Sequence, residues 1–96
     1  MAKTKVLTGF TANVSQPLEN RGGVTSIVLS NQTSGTVFAS VGVSTPRATA
    51  YYIRNIEIPT GTSIDVLDGN LLQTEANKLF VETDTNNGIH CIYTAL

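Results

Sequence analysis

Three groups of side chains in this sequence have the types that do chemistry. The first is Asp65, Asp68 and Asn70 within IEIPTGTSIDVLDGN. Alternating oxygen donors are what a calcium loop uses, but such a loop also needs glycine at its sixth position and glutamate at its twelfth. Counted from Asp65, the glycine (Gly69) comes at the fifth position and Ala76 stands at the twelfth. Asp-Gly-Asn is ordinary turn chemistry, because these residues tolerate positive φ and close on their own backbone. Asp68 and Gly69 are therefore expected to punctuate a turn, with Asp65 pointing outward between Ile64 and Val66.

The second group is His90 beside Cys91, the types of a base with a nucleophile or of two metal ligands. Adjacent residues on a strand point to opposite faces, so the pair does not converge on one centre. The chain has one His and one Cys, which leaves no further soft ligand and no internal disulfide. The third group is Tyr51, Tyr52 and Arg54, the types that stack on bases or sugars and contact phosphate. Regular alternation places Tyr52, and not Tyr51, on the face of Arg54, and a core or subunit contact is the expected role. The glycines of GGVTSIVLSN precede a strand, unlike a phosphate-binding loop, whose glycines open a helix. No catalytic, cofactor-binding or metal-ligating residue is assigned, and the expectation is a protein that is not an enzyme.

The elements that would position these residues are strands. Threonine and serine are scattered through apolar alternation, and β-branched side chains favour a half-buried pleated surface. Strands are expected at 5–15 (broken near Gly9), 24–31, 35–43, 49–58, 63–67, 71–73, 78–83 and 88–95. A helical turn competes only in LLQTEANKL, residues 71–79. ENRGG, NQTSG, Pro46 and Pro59 mark turns or strand ends. LFVETDTNNGIHCIYT is predicted to be a hairpin turning at Asn86, Asn87 and Gly88.

Period-two repeats nominate Ile27, Leu29, Val37, Ala39, Val41, Ile56, Ile58, Ile64, Val66, Leu79 and Val81 for the core. Val28, Phe38, Phe80 and Ile92 then fall on the opposite faces, so either bulges intervene or those faces meet another chain. Together these features predict an all-β fold, a small antiparallel β-sandwich or jelly roll of about eight short strands. Edge strands with few charges point further to assembly.

Length and charge narrow the class. A chain of 96 residues fits one domain, 1–96, because it cannot divide its apolar residues between two cores. With 41% hydrophobic and 14% charged residues it is too apolar to be disordered. A formal net charge of −1 draws it to neither nucleic acid nor an anionic membrane. The opening MAKTKVLTGFTANVS lacks the apolar run of a secretory signal, and no stretch approaches a membrane span, so a cytosolic or particle-bound protein is expected. Residues 1–4, with Lys3, are expected to form a frayed or partner-bound arm.

The succession GVTSIVLSNQTSGTVFASVGV, AYYIRNIEIPTGTSIDVLDGNLLQTEANKLFVET and GIHCIYTAL resembles small virion structural proteins of tailed bacteriophages, particularly those of marine and cyanobacterial phages. The resemblance spans roughly residues 22–96. It is carried by an apolar strand ending near Asn-x-Thr (Asn31, Thr33), a strand of small and β-branched residues, the apolar-Pro-x-Gly-Thr/Ser turn from Ile58 to Ser63, the leucine-aspartate-glycine segment from Leu67 to Leu71, and a closing hairpin. It departs from longer members in the short connection between the strands at 35–43 and 49–58.

The resemblance implies a capsid decoration or cement protein, a homo-oligomer on the outer surface of the head whose partner is the major capsid protein. A neck, tail or fibre component of the virion is the alternative, and a carbohydrate- or receptor-binding module using Tyr51 or Tyr52 a third. Phe38, Tyr52, Arg54 and Phe80 are the candidate subunit or capsid contacts. No cofactor is expected.

Overall fold

The computed structural model describes residues 3–73 and 78–95. Every regular element among them is a strand: β1 (Lys3–Leu7), β2 (Gln16–Pro17), β3 (Gly23–Ser30), β4 (Val37–Ser44), β5 (Thr49–Ile58), β6 (Ser63–Asp65), β7 (Leu72–Gln73), β8 (Leu79–Thr83) and β9 (His90–Ala95). They form two antiparallel sheets packed as a β-sandwich. Sheet A has the order β1-β9-β3-β6, and β7 pairs with β3 beside β6, so that side of β3 carries two short pieces. Sheet B has the order β2-β8-β4-β5.

The core lies between the sheets. Sheet A contributes Val24, Ile27, Leu29, Cys91, Tyr93 and Ala95; sheet B contributes Val37, Ala39, Val41, Ile58, Leu79 and Val81. Phe10, Leu18, Leu67 and Ile89 fill the space from the connections. Ile56 and Ile64 are half-buried against this cluster, so all the residues nominated by alternation pack into or onto it. Burial of a leucine, isoleucine or phenylalanine side chain contributes roughly 1.5–3 kcal/mol.

Bulges explain where strict alternation misleads. Between Val24 and Ser26 the β3–β9 register shifts, so Val24 and Ile27, three residues apart, both face inward. On β5 the register against β4 shifts twice, between the pairs Ala39–Ile56, Val41–Ile53 and Gly42–Tyr51. Asn55, with φ 53°, donates its backbone N–H to Ser40 Oγ at 2.9 Å. An extra residue on one strand reverses the facing of everything beyond it.

The segment LFVETDTNNGIHCIYT is not a hairpin. β8 belongs to sheet B and β9 to sheet A, and the turn at 84–88 carries the chain across the end of the sandwich. Asn87 does adopt positive φ, 54°, but its N–H donates to Phe10 O at 2.8 Å, and Asn86 Oδ1 accepts from Ala12 N at 2.7 Å. The turn is thus packed against loop 8–15 and does not close a two-stranded ribbon.

The hairpin that does form is β4–β5. Thr45 N donates to Ala48 O at 2.9 Å, with Pro46 second in the turn, where its fixed φ fits. At the start of the chain, Lys3 and Thr4 are not part of a frayed arm: they stand opposite Ala95 and Thr94 in β1. Residues 1 and 2 lie outside the described residues, as do 74–77, the middle of the stretch 71–79 on which a helical turn competes; its described flanks hold β7 and the start of β8.

Candidate functional site

The outer face of sheet B holds an aromatic cluster built around a glycine. On β4, Gly42 is paired with Phe80 of β8 and with Tyr51 of β5. A Cβ at Gly42 would lie 2.6 Å from Ala50 O and 2.8 Å from Phe80 Cζ, so the missing side chain is what lets the Phe80 ring pack over Gly42. Tyr51 meets that ring edge-on, with centroids 5.7 Å apart and planes at 81°. The two together leave Phe80 only 5% exposed.

Tyr51 is itself held on two further sides. Its hydroxyl donates to Glu82 Oε1 at 2.9 Å, and the Arg54 guanidinium carbon sits 4.7 Å from its ring centroid, within cation–π range. Ser15 Oγ donates to the other Glu82 oxygen at 3.3 Å. The phenol of Tyr51 is raised above its ordinary pKa, first by the hydrogen bond to Glu82, then by burial and the Glu82 charge, against the opposing charge of Arg54. It is therefore a neutral donor at physiological pH, not a nucleophile. Beside it, Ser15, Pro17, Ser44, Thr49, Lys78 and Phe80 line a cleft of about 330 Å³.

The sequence expectation that Arg54 shares its face with Tyr52 is thus corrected. The β5 bulges put Arg54 over Tyr51 instead, and Tyr52, at the second bulge, is left 47% exposed. Of the four proposed contact residues, Phe38, Tyr52 and Arg54 reach solvent, whereas Phe80 is covered by its own sheet.

The outer face of sheet A has a different character. Val6, Ile92 and Val28 are directly paired across β1, β9 and β3, and the row ends at Asp65 on β6. Val6 is 66% exposed and Ile92 44%. The neighbouring rows are Thr4–Thr94–Ser26 on one side and His90–Ser30–Ser63 on the other. An apolar row that ends at Asp65 thus crosses a face of hydroxyl side chains and His90.

Val6 was missed by sequence reasoning. In KTKVLTG it is followed by Leu7, which packs against the core, and only its pairing with Ile92 makes Val6 part of a patch.

The residues with chemical potential do not converge. His90 is exposed, while Cys91 is fully buried on the inner side of β9, and burial pushes its thiol up to about 12. A thiol so placed is packed and unreactive. Asp65 Oδ1 accepts from Asp68 N at 3.2 Å. Asp68 and Gly69 both take positive φ, 49° and 82°, and Asn70 Nδ2 donates to Leu67 O at 3.0 Å. The stretch is a self-bonded turn. Among the described residues no three His, Cys, Asp or Glu side chains gather.

The Asn-x-Thr and Pro-x-Gly-Thr motifs meet in space. Asn31 is fully buried; its Nδ2 donates to Gly35 O at 2.7 Å and to Ile58 O at 2.8 Å. Its Oδ1 accepts from the backbone N and the hydroxyl of Thr33, at 2.8 and 2.7 Å. Its backbone bonds Thr62 O and Gly61 N, and Thr60 Oγ1 donates to Thr33 O. One buried amide with its donors and acceptor engaged therefore ties loop 31–35 to turn 59–62.

Comparison with family models, curated proteins and solved structures finds no match to this chain.

Proposed function

We propose that this chain is a non-enzymatic structural protein of a phage virion, a decoration or cement protein seated on the outer surface of the head. One observation carries the reading: the sandwich blunts its edges yet leaves large apolar side chains in solvent on its faces. β2 is two residues long and contains Pro17, β5 is bulged twice, and the edge formed by β6 and β7 is broken into two short pieces. On β1, Lys5 stands opposite the core residue Tyr93 and its ammonium lies 3.7 Å from Glu19 Oε1. Inward-pointing charge, proline, bulges and short strands are the devices that prevent edge pairing.

Association is thereby steered to the faces. A rigid block that docks by its faces suits a lattice role, in which many weak contacts to capsid subunits add up against outward pressure from the packaged genome. Phe38, Tyr52 and Arg54 are the side chains offered to the major capsid protein. Phe80 supports them from beneath Tyr51.

The test is to place a gold-labelled tag on the protein in intact particles and to locate and count the label by electron microscopy. Label over the whole head supports the decoration reading. Label confined to one vertex or the tail replaces it with the neck, tail or fibre reading, and particles without label remove the virion reading altogether.

A further inference from the structure

We infer that Asn87–Gly88 is a site of spontaneous covalent modification, cyclisation with loss of ammonia, and that the turn at 84–88 holds it unreactive while the molecule is folded. Of the eight asparagines in the chain, only Asn87 is followed by glycine. Cyclisation uses the amide nitrogen of the following residue, and glycine leaves that nitrogen the least hindered because it has no side chain. The Gly88 amide gives up its proton to hydroxide and its nitrogen attacks Asn87 Cγ. The new N–Cγ bond closes a five-membered imide and the Cγ–Nδ2 bond breaks. The side-chain nitrogen takes a proton from water and leaves as ammonia, which returns the hydroxide. Water then opens the imide at one of its two carbonyls. One opening gives aspartate, and the other gives isoaspartate, in which the main chain runs through the side-chain carbons.

The fold demands both halves of this pair. Residue 87 is exposed and sits at φ 54°, a conformation that asparagine tolerates better than most side chains. A Cβ at residue 88 would lie 2.9 Å from Thr85 Cβ and Thr85 O and 3.0 Å from Thr83 Oγ1, so glycine is what fits where the chain crosses between the sheets. The same turn withholds the nucleophile. Gly88 is buried and its N–H donates to Thr85 O at 2.9 Å. Asn87 N–H donates to Phe10 O at 2.8 Å, Asn86 Oδ1 accepts from Ala12 N at 2.7 Å, and Ile89 is fully buried. Ring closure needs the Gly88 nitrogen deprotonated and turned onto Cγ, so these holds must give way first and the reaction proceeds from the locally opened turn. The inference concerns the free chain in solution and does not depend on where in a particle the protein sits.

The test is to incubate the purified chain in mildly alkaline buffer, folded and in parallel unfolded in urea, and to map by peptide mass spectrometry the mass gained when an amide becomes a carboxyl group. In urea the gain is expected first at Asn87. In the folded chain the same gain is expected about tenfold or more slower, the factor imposed by about 1.4 kcal/mol of opening free energy. Asn86→Ala removes the bond to Ala12 and leaves the reacting pair intact, and it is expected to narrow the ratio of unfolded to folded rates about fivefold. Retained protection of the buried Cys91 from a thiol reagent verifies that this variant is folded. A folded chain that reacts as fast as the unfolded one overturns the inference, as does a ratio untouched by Asn86→Ala. A first gain in urea at another asparagine overturns the assignment of the site.

Discussion

The two outer faces of this sandwich both carry apolar side chains and treat them in different ways. On sheet B, Phe80 lies over Gly42, Tyr51 closes against Phe80, and Arg54 and Glu82 hold Tyr51. That face covers Phe80 with its own residues, while Phe38 and Tyr52 stay exposed. On sheet A, Val6, Ile92 and Val28 lie side by side in one row that ends at Asp65, flanked by rows of hydroxyl side chains and His90. The difference teaches that an outward-facing apolar residue is not by itself a binding residue: Phe80 supports the fold, whereas Ile92 remains open to a partner.

Substitutions sharpen this contrast. Phe80→Ala removes a ring that is 95% covered on a nominally outer face, and a loss of about 3 kcal/mol is expected in urea unfolding. A loss near zero would return Phe80 to the contact list. Gly42→Ala drives a Cβ onto a backbone carbonyl as well as the Phe80 ring, and about 2 kcal/mol of destabilisation is expected; an unchanged midpoint would show that the ring does not need the gap.

Glu82→Gln acts on ionisation more than on stability. The raised Tyr51 pKa means that the folded state favours the neutral phenol. Its contribution is complete below the unfolded value near 10 and fades as pH rises toward the higher folded value. Removing the Glu82 charge is expected to lower the Tyr51 titration, followed by carbon-13 NMR of the ring, and an unmoved titration would break the assigned cause. Smallest of all, Ile92→Ala is expected to shift stability by no more than about 0.5 kcal/mol, against the large effect of Phe80→Ala. Labelling of Cys91, beneath Ile92 on β9, provides the matching kinetic readout: its buried thiol reacts only when sheet A opens.

The sequence made the strand class, most turn positions and the inward set legible, because alternation and turn chemistry act over a few residues. It located β5 at Thr49–Ile58 and found the turn at Pro46. Two kinds of information lay beyond it. Bulges at β3 and β5 reset facing without a residue signature; only Asn55, a type that tolerates positive φ, marks one. That is why Arg54 was assigned to Tyr52 and not to Tyr51. Sheet membership is non-local as well: the Asn-Asn-Gly turn has hairpin chemistry, but the sandwich uses it to pass from one sheet to the other, and Phe10 and Ala12 from a distant loop receive it. The sheet A patch was illegible for the same reason, since its members lie more than twenty residues apart and become neighbours only through register.

The Asn31 clamp has a consequence for how the molecule breathes. It joins the end of β3 in sheet A to the end of β5 in sheet B through a single side chain. Loops normally exchange their amide hydrogens quickly, through small local openings. Here the Thr33 amide is bonded to the buried Asn31 Oδ1, and the Asn31 amide to Thr62 O, so both are tied to one side chain and turn that are themselves packed at the end of the sandwich. These two amides are expected to exchange as slowly as the central strands, although Thr33 lies in a loop. The end of the sandwich holding residues 31–35 and 59–62 is then expected to be among the last parts of the molecule to open.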